Sequence, residues 1–181
     1  MGGWRNILNL WNPTRKWRSD PSRLLVLDLD QHQLCGVGIG DSVATLAFLG
    51  PATGWSGRLQ FPNHGLAIVE EGTVAELHFF FGHTGEPAGG TFRGEIRHLG
   101  AAIPPLTSHT ENDIVGRFGP PYWRDADGSE TILFYEFPQR EWQWEFGLDG
   151  RLKCLVIGLP ILADQAQRDA YQVTRPWPPW S

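Results

Sequence analysis

Residues 39–52, IGDSVATLAFLGPA, and residues 109–123, HTENDIVGRFGPPYW, run on one plan: a polar start, a short apolar spacing, then Gly-Pro. The spacing predicts short helices. They bury Val43, Leu46 and Leu49 in the first stretch, and Ile114, Val115 and Phe118 in the second. Asp41 and Thr110 are the expected N-caps, and Thr110 with Asp113 forms a near capping box. Gly50 and Gly119 take the left-handed C-terminal position, and Pro51 and Pro120 prevent continuation.

Each stretch is followed by strand-like sequence, RLQFPNHGLAIVEEGTVAELHFFF at 58–81 and TILFYEFPQREWQWEFGLDGRLKCLVIG at 131–158. Three anchors recur in order: Gly50-Pro51 with Gly119-Pro120, Phe61-Pro62 with Phe137-Pro138, and Gly72 with Gly150. The offset only grows along the chain, as two small loop insertions in a second copy of one unit would make it. The expected fold is α+β: two tandem helix-plus-antiparallel-sheet repeats, with the helices packed on one face of the sheet. The boundaries are a basic Trp-rich arm at 1–23, repeat 1 at 24–91, repeat 2 at 92–160, and a C-terminal segment with a Pro/Trp tail at 161–181. Further strands are expected at Leu24–Leu29 and Phe92–Leu99, each heading its own copy.

Alternation sorts the faces. Leu66, Ile68, Leu77 and Phe79, with Trp142, Trp144, Phe146 and Leu155, form the more apolar face and are assigned to the core. Two-residue turns at Glu71-Gly72 and Asp149-Gly150 would set Val69 opposite Val74, Ala67 opposite Glu76 and Gly65 opposite His78. They would also set Glu145 opposite Cys154 and Gln143 opposite Val156. The open face then carries Arg58, Gln60, Glu76, His78, Phe134, Glu136, Gln143 and Glu145, the candidate partner-binding residues. In sequence, a solvated sheet face looks the same.

The unit of short helix, Gly-Pro, strands, x-Gly turn and final apolar strand, present twice, resembles the tandem repeat of the beta-lactamase inhibitor proteins. It also resembles the single-copy SmpA/OmlA lipoproteins. The carrying residues are Ile39-Gly40-Asp41, Leu49-Gly50-Pro51 and Gly72-x-Val74. In the second copy they are Phe118-Gly119-Pro120-Pro121 and Asp149-Gly150-Arg151-Leu152. The resemblance implies a non-catalytic protein whose open sheet face holds a partner protein.

The bulk numbers narrow the classes. The 181 residues hold 22 Gly and 14 Pro, which favours many short elements over a helical bundle, and the formal net charge is −5. Arg5, Arg15, Lys16, Arg18 and Arg23 stand against Asp20 alone in the first 23 residues, so the body is more acidic than the whole. An acidic body repels nucleic-acid phosphates and attracts a basic protein. No run approaches the roughly 20 apolar residues of a membrane-spanning helix. Interrupted apolar residues near the start predict no secretory signal, hence a cytoplasmic location. Trp4, Ile7, Leu8 and Trp11 share one helical face and could touch a membrane surface through residues 1–20. Arg175-Pro-Trp-Pro-Pro-Trp180 reads as an extended tail. Cys35 and Cys154 form no metal-binding pair, and Cys154 reads as a buried thiol.

Catalytic patterns are weak. The six histidines make no HExxH, the Asp125–Glu130 run fails the calcium-loop spacing, and Gly36-Val-Gly38-Ile-Gly40 is not a phosphate-binding loop. Glu111 with Asp113 and Glu141 with Glu145 are acid pairs without an evident pocket. No catalytic, metal or cofactor residues are assigned. The expected function is a protein-binding module of the inhibitor or toxin-immunity type, acting by steric occlusion. The alternatives are a peripheral membrane scaffold and a small metal-dependent hydrolase.

Overall fold

Runs of alternating apolar and β-branched or aromatic residues set the frame, as a half-buried pleated surface requires. The computed structural model describes residues 12–53, 57–82 and 90–174. Among these the strands are β1 (Val26–Asp28), β2 (Gln33–Leu34), β3 (Arg58–Phe61), β4 (Leu66–Glu70), β5 (Val74–Phe80), β6 (Glu95–His98), β7 (Ala101–Ile103), β8 (Trp123–Ala126), β9 (Thr131–Phe137), β10 (Arg140–Phe146) and β11 (Leu152–Gly158). The helices are α1 (Glu111–Phe118) and α2 (Gln165–Ala170), with 3-10 turns at Val43–Leu49 and Pro62–His64. The helix expected over Trp4–Trp11 and the tail at 175–181 lie outside the described residues.

The strands form a seven-stranded sheet, ordered β3-β4-β5-β11-β10-β9-β8, and a four-stranded sheet, ordered β2-β1-β6-β7. This corrects the expected α+β class: the chain is mostly β, with short helices, and is not a pair of units with helices packed on one face. The reason lies in two pairings. β5 and β11 close as one antiparallel ladder, Leu77 opposite Ile157 and Phe80 opposite Cys154, so both hairpins share a single sheet. The strands expected to head each copy leave their hairpins and pair in parallel with each other, Val26 opposite Glu95 and Asp28 opposite Arg97. That small sheet shares one apolar cluster with the large one: Leu27, Leu29, Leu34 and Ile96 join Leu66, Leu77, Trp142 and Trp144.

The predicted core face is buried throughout, from Leu66 and Ile68 to Trp144, Phe146 and Leu155. The second hairpin has the expected register, Glu145 opposite Cys154 and Gln143 opposite Val156. The first does not. Glu70 faces Val74 across a three-residue turn, a bulge follows at Val69/Glu70, and Ala67 meets His78. This moves the pairing by two residues and leaves each side chain on its face.

The local likeness of the two stretches is visible in detail. Gly50 and Gly119 both have φ 81°, with ψ extended in place of the left-handed helical value. Ser42 bridges Thr73 where Thr110 bridges Arg151. The capping box of α1 is formed, Thr110 N–H donating to the Asp113 carboxylate at 2.8 Å. Asp41 does not cap: its carboxylate accepts from Gly38 N–H at 2.8 Å, Ser42 takes the cap position, and the turn that follows is 3-10.

The described part of the N-terminal arm is packed on the body. Thr14 is buried and its hydroxyl accepts from Ala52 N–H at 2.8 Å, while Trp17 stacks on Phe61 with ring centroids 6.3 Å apart.

Gly65 is a close-approach position: its φ is +61°, and a Cβ would collide with Thr91 C and Phe92 N. Gly128, at φ +84°, faces open space. Gly65→Ala should cost at least about 3 kcal/mol in urea unfolding, against about 1 kcal/mol for Gly128→Ala. Equal losses would show that backbone conformation alone decides.

Candidate functional site

The outer face of the large sheet is built row by row. One row runs straight across it: Gln60, Ala67, His78, Val156, Gln143, Phe134 and Trp123 are successive cross-strand partners. Beside it run Arg58, Val69 and Glu76 at one side, and Gly158, Glu141 and Glu136 at the other. The eight sequence-predicted residues therefore share one face, but they do not share one environment.

At the β3–β5 side the face is accessible. Arg58 is exposed and Gln60 half-buried. Glu76 Oε2 lies 2.7 Å from His78 Nε2, with the Glu76 side chain 44% exposed and that of His78 12%. The hydrogen bond from His78 holds the Glu76 carboxyl below its usual range. Glu145 is half-buried beside Lys153, at 3.5 Å, and Lys153 also bonds Glu130 at 2.9 Å. Burial raises the Glu145 carboxyl, and Lys153 opposes the rise. Between these polar groups Ala67, Phe80, Cys154 and Val156 form a small buried apolar cluster of their own.

At the β8–β10 side the face is covered by the chain's own C-terminal segment. Phe134 is 2% and Glu136 8% exposed, so neither is presented at the surface as the open-face reading had them. Trp123 stacks on Phe134 at 4.2 Å, and Tyr171 leans on Trp123. The Arg168 side chain of α2 is fully buried and donates to Glu136 Oε1. It also lies over the Tyr122 ring, 5.1 Å from its centre. Asp164 caps α2 by accepting from Gln167 N–H at 2.8 Å, which sets the helix that carries Arg168.

Sequence reasoning noticed Glu141 as half of an acid pair and missed its place. It is fully buried, directly opposite Glu136. It accepts from Tyr122 Oη–H at 2.6 Å and from Gln143 Nε2–H at 3.0 Å. Two carboxylates facing each other in a ladder repel, and the Arg168 guanidinium offsets this at Glu136. Burial raises the Glu141 carboxyl to about 7, with hydrogen bonds from Tyr122, Gln143 and the Ile161 backbone pulling the other way. Burial and the bond to Glu141 also push the Tyr122 phenol well up. The arrangement is a lock between sheet and C-terminal segment. Among the described residues, no three His, Cys, Asp or Glu gather as a metal site.

No protein-family model matches the chain, and no curated protein matches it. One similar solved structure is that of YjgB, a DUF4309 family protein from Bacillus subtilis. It has a TM-score of 0.51 and 16% identity, covering 86% of this chain and 97% of that one. At that identity the likeness is one of fold, and the description of YjgB assigns no activity. None of these comparisons bears on the resemblance to the beta-lactamase inhibitor repeats.

Two outcomes follow from the lock. The folded state holds the Glu141 proton more tightly than the unfolded chain does. Its contribution to stability is therefore complete below the unfolded value and declines as pH rises toward about 7. The decline should be of the order of 3 kcal/mol and should shrink in Glu141→Gln, measured by urea unfolding between about pH 4.5 and 8. An unchanged decline would remove Glu141 as its source. Arg168→Met should cost about 3–5 kcal/mol by stranding buried charge, with partial recovery when Glu136→Gln is added. Additive losses in the double variant would contradict the coupling.

Proposed function

We propose that the chain is a non-catalytic protein-binding module, of the inhibitor or toxin-immunity type, that occludes a basic partner with the accessible side of its large sheet. The observation that carries the reading is the tile of Arg58, Gln60, Glu76 and His78 in two adjacent register rows, with Glu145 two strands further on. β5 and β10 lie inside the seven-stranded sheet, so Glu76, His78 and Glu145 meet a partner with little ordering cost. The acid pairs that the sequence offers are engaged: Glu141 by Tyr122 and Gln143, Glu145 by Lys153, Glu111 by Arg124 and Asp113 by Thr110. The net charge of −5 supplies long-range attraction toward a basic surface.

Calorimetric titration of small basic enzymes against the purified protein tests this. A true partner forms a one-to-one complex whose association slows with salt. Glu76→Lys weakens it by about tenfold or more, as for a buried interfacial charge. An affinity that ignores both salt and this reversal would place the binding surface elsewhere.

A further inference from the structure

Away from the sheet face, a cavity of about 380 Å³ opens where the chain enters β1 and β6. It is walled by the 20–25 segment, by Phe48, by Asn63 and His64, and by Arg93 and Gly94. Its walls are held tightly. A Cβ at Gly94 would lie 2.7 Å from the Leu25 carbonyl oxygen, so the segment leading into β6 can approach the Leu25 backbone this closely only with glycine there. The neighbouring His64 turn ends at Gly65, itself pressed against residues 91 and 92. His64 Nε2 is fixed on the Leu49 carbonyl oxygen at 3.1 Å.

The charge on these walls is opposite to that of the molecule. Arg23 and Arg93 both line the cavity, and neither has an ion pair among the described residues. The Arg23 guanidinium is carried over the Phe48 ring, 3.9 Å from its centre, which orients it without neutralising it. Asp20, the one carboxylate in the lining, accepts at Oδ1 from Ser22, through N–H at 3.0 Å and the hydroxyl at 2.6 Å, and also feels the Arg23 charge, so two cations in the lining face one anion. Leu24, 60% exposed, and Leu25 supply an apolar strip beside the two cations.

We propose that this cavity is a binding site for a small organic anion, a phosphate or carboxylate on a compact apolar body. The charged end sits between Arg23 and Arg93, and the body lies along Leu24 and Leu25. The volume suits a single ring with its anionic group, being near the lower end of small-molecule sites. Guanidinium forks recognise such oxyanions through paired charge-assisted hydrogen bonds.

Phenyl phosphate is the probe, titrated by calorimetry and by amide shifts in NMR spectra of the full chain. Inorganic phosphate serves as the charge-only arm and benzyl alcohol as the apolar-only arm. Binding should shift the amides of Arg23, Phe48, His64 and Arg93, and should be at least about tenfold tighter for phenyl phosphate than for either arm. The double variant Arg23→Gln/Arg93→Gln, checked for an unchanged melting curve, should weaken binding about tenfold or more. Arg151→Gln, which removes an exposed charge elsewhere, should leave it unaltered. If the double variant melts early, the single Arg93→Gln carries the test with the same expected direction. Any of three results overturns the proposal: no shifts at about 10 mM phenyl phosphate, equal binding of inorganic phosphate, or equal weakening by Arg151→Gln.

Discussion

The ladder between β5 and β11 is the pairing on which the molecule depends. Four residues on each side, Leu77–Phe80 and Cys154–Ile157, join two hairpin systems that are far apart in the chain. Alone, each would be a small sheet with an open edge and half a core. Joined, they place Leu77 and Phe79 beside Leu155 and Ile157 on one continuous apolar surface. The four-stranded sheet then covers that surface. Its β1–β6 pair is parallel, and neither strand pairs with the large-sheet hairpin that follows it in the chain. Trp142 shows how tightly the layers meet: its indole N–H donates to His32 Nδ1 at 2.9 Å, and Phe137 and Phe118 pack around the same ring.

Much of this was legible because period-two alternation reports a face whatever the partner strand turns out to be. Leu66, Ile68, Trp142, Trp144 and Phe146 could be assigned to the core from spacing alone. The second hairpin was legible in register at Gln143 and Glu145, where a loop closed by Gly147 N–H on the Arg151 carbonyl and a shift at Glu145/Phe146 together restore the pairing that a two-residue Asp149-Gly150 turn would set. The first was not, since Thr73 lengthens the turn by one residue and the bulge adds a second. Partner choice is a non-local matter. Nothing in VLD or EIRH announces that these two segments lie side by side, nor that a sheet, and not helices, closes the core. Asp41 and Thr110 look equivalent as caps; only the second does the work, because Asp41 is engaged by Gly38.

The candidate face was legible as a polar set and not as a surface. The alternation correctly gathers Glu76, His78, Gln143 and Glu145 on one side, and Glu136 with them. It says nothing of what lies on top. Arg168 sits in DQAQRDAYQ, a stretch that reads as solvated helix surface. Its burial follows from Glu136 and Glu141, which face each other beneath it and favour a cation between sheet and segment. The accessible area is therefore the β3–β5 side and its junction with β11, while the other half of the face serves cohesion within the chain.

An open sheet of seven strands has two borders, and any border offers unpaired amides to a neighbouring molecule. Here β8 closes one side with WRDA, a four-residue strand in which Arg124 and Asp125 are exposed and Arg124 is bidentate to Glu111, at 2.7 and 3.1 Å. The far side ends at β3, also four residues long, with exposed Arg58. Short, charge-bearing margins make end-to-end stacking of copies unfavourable.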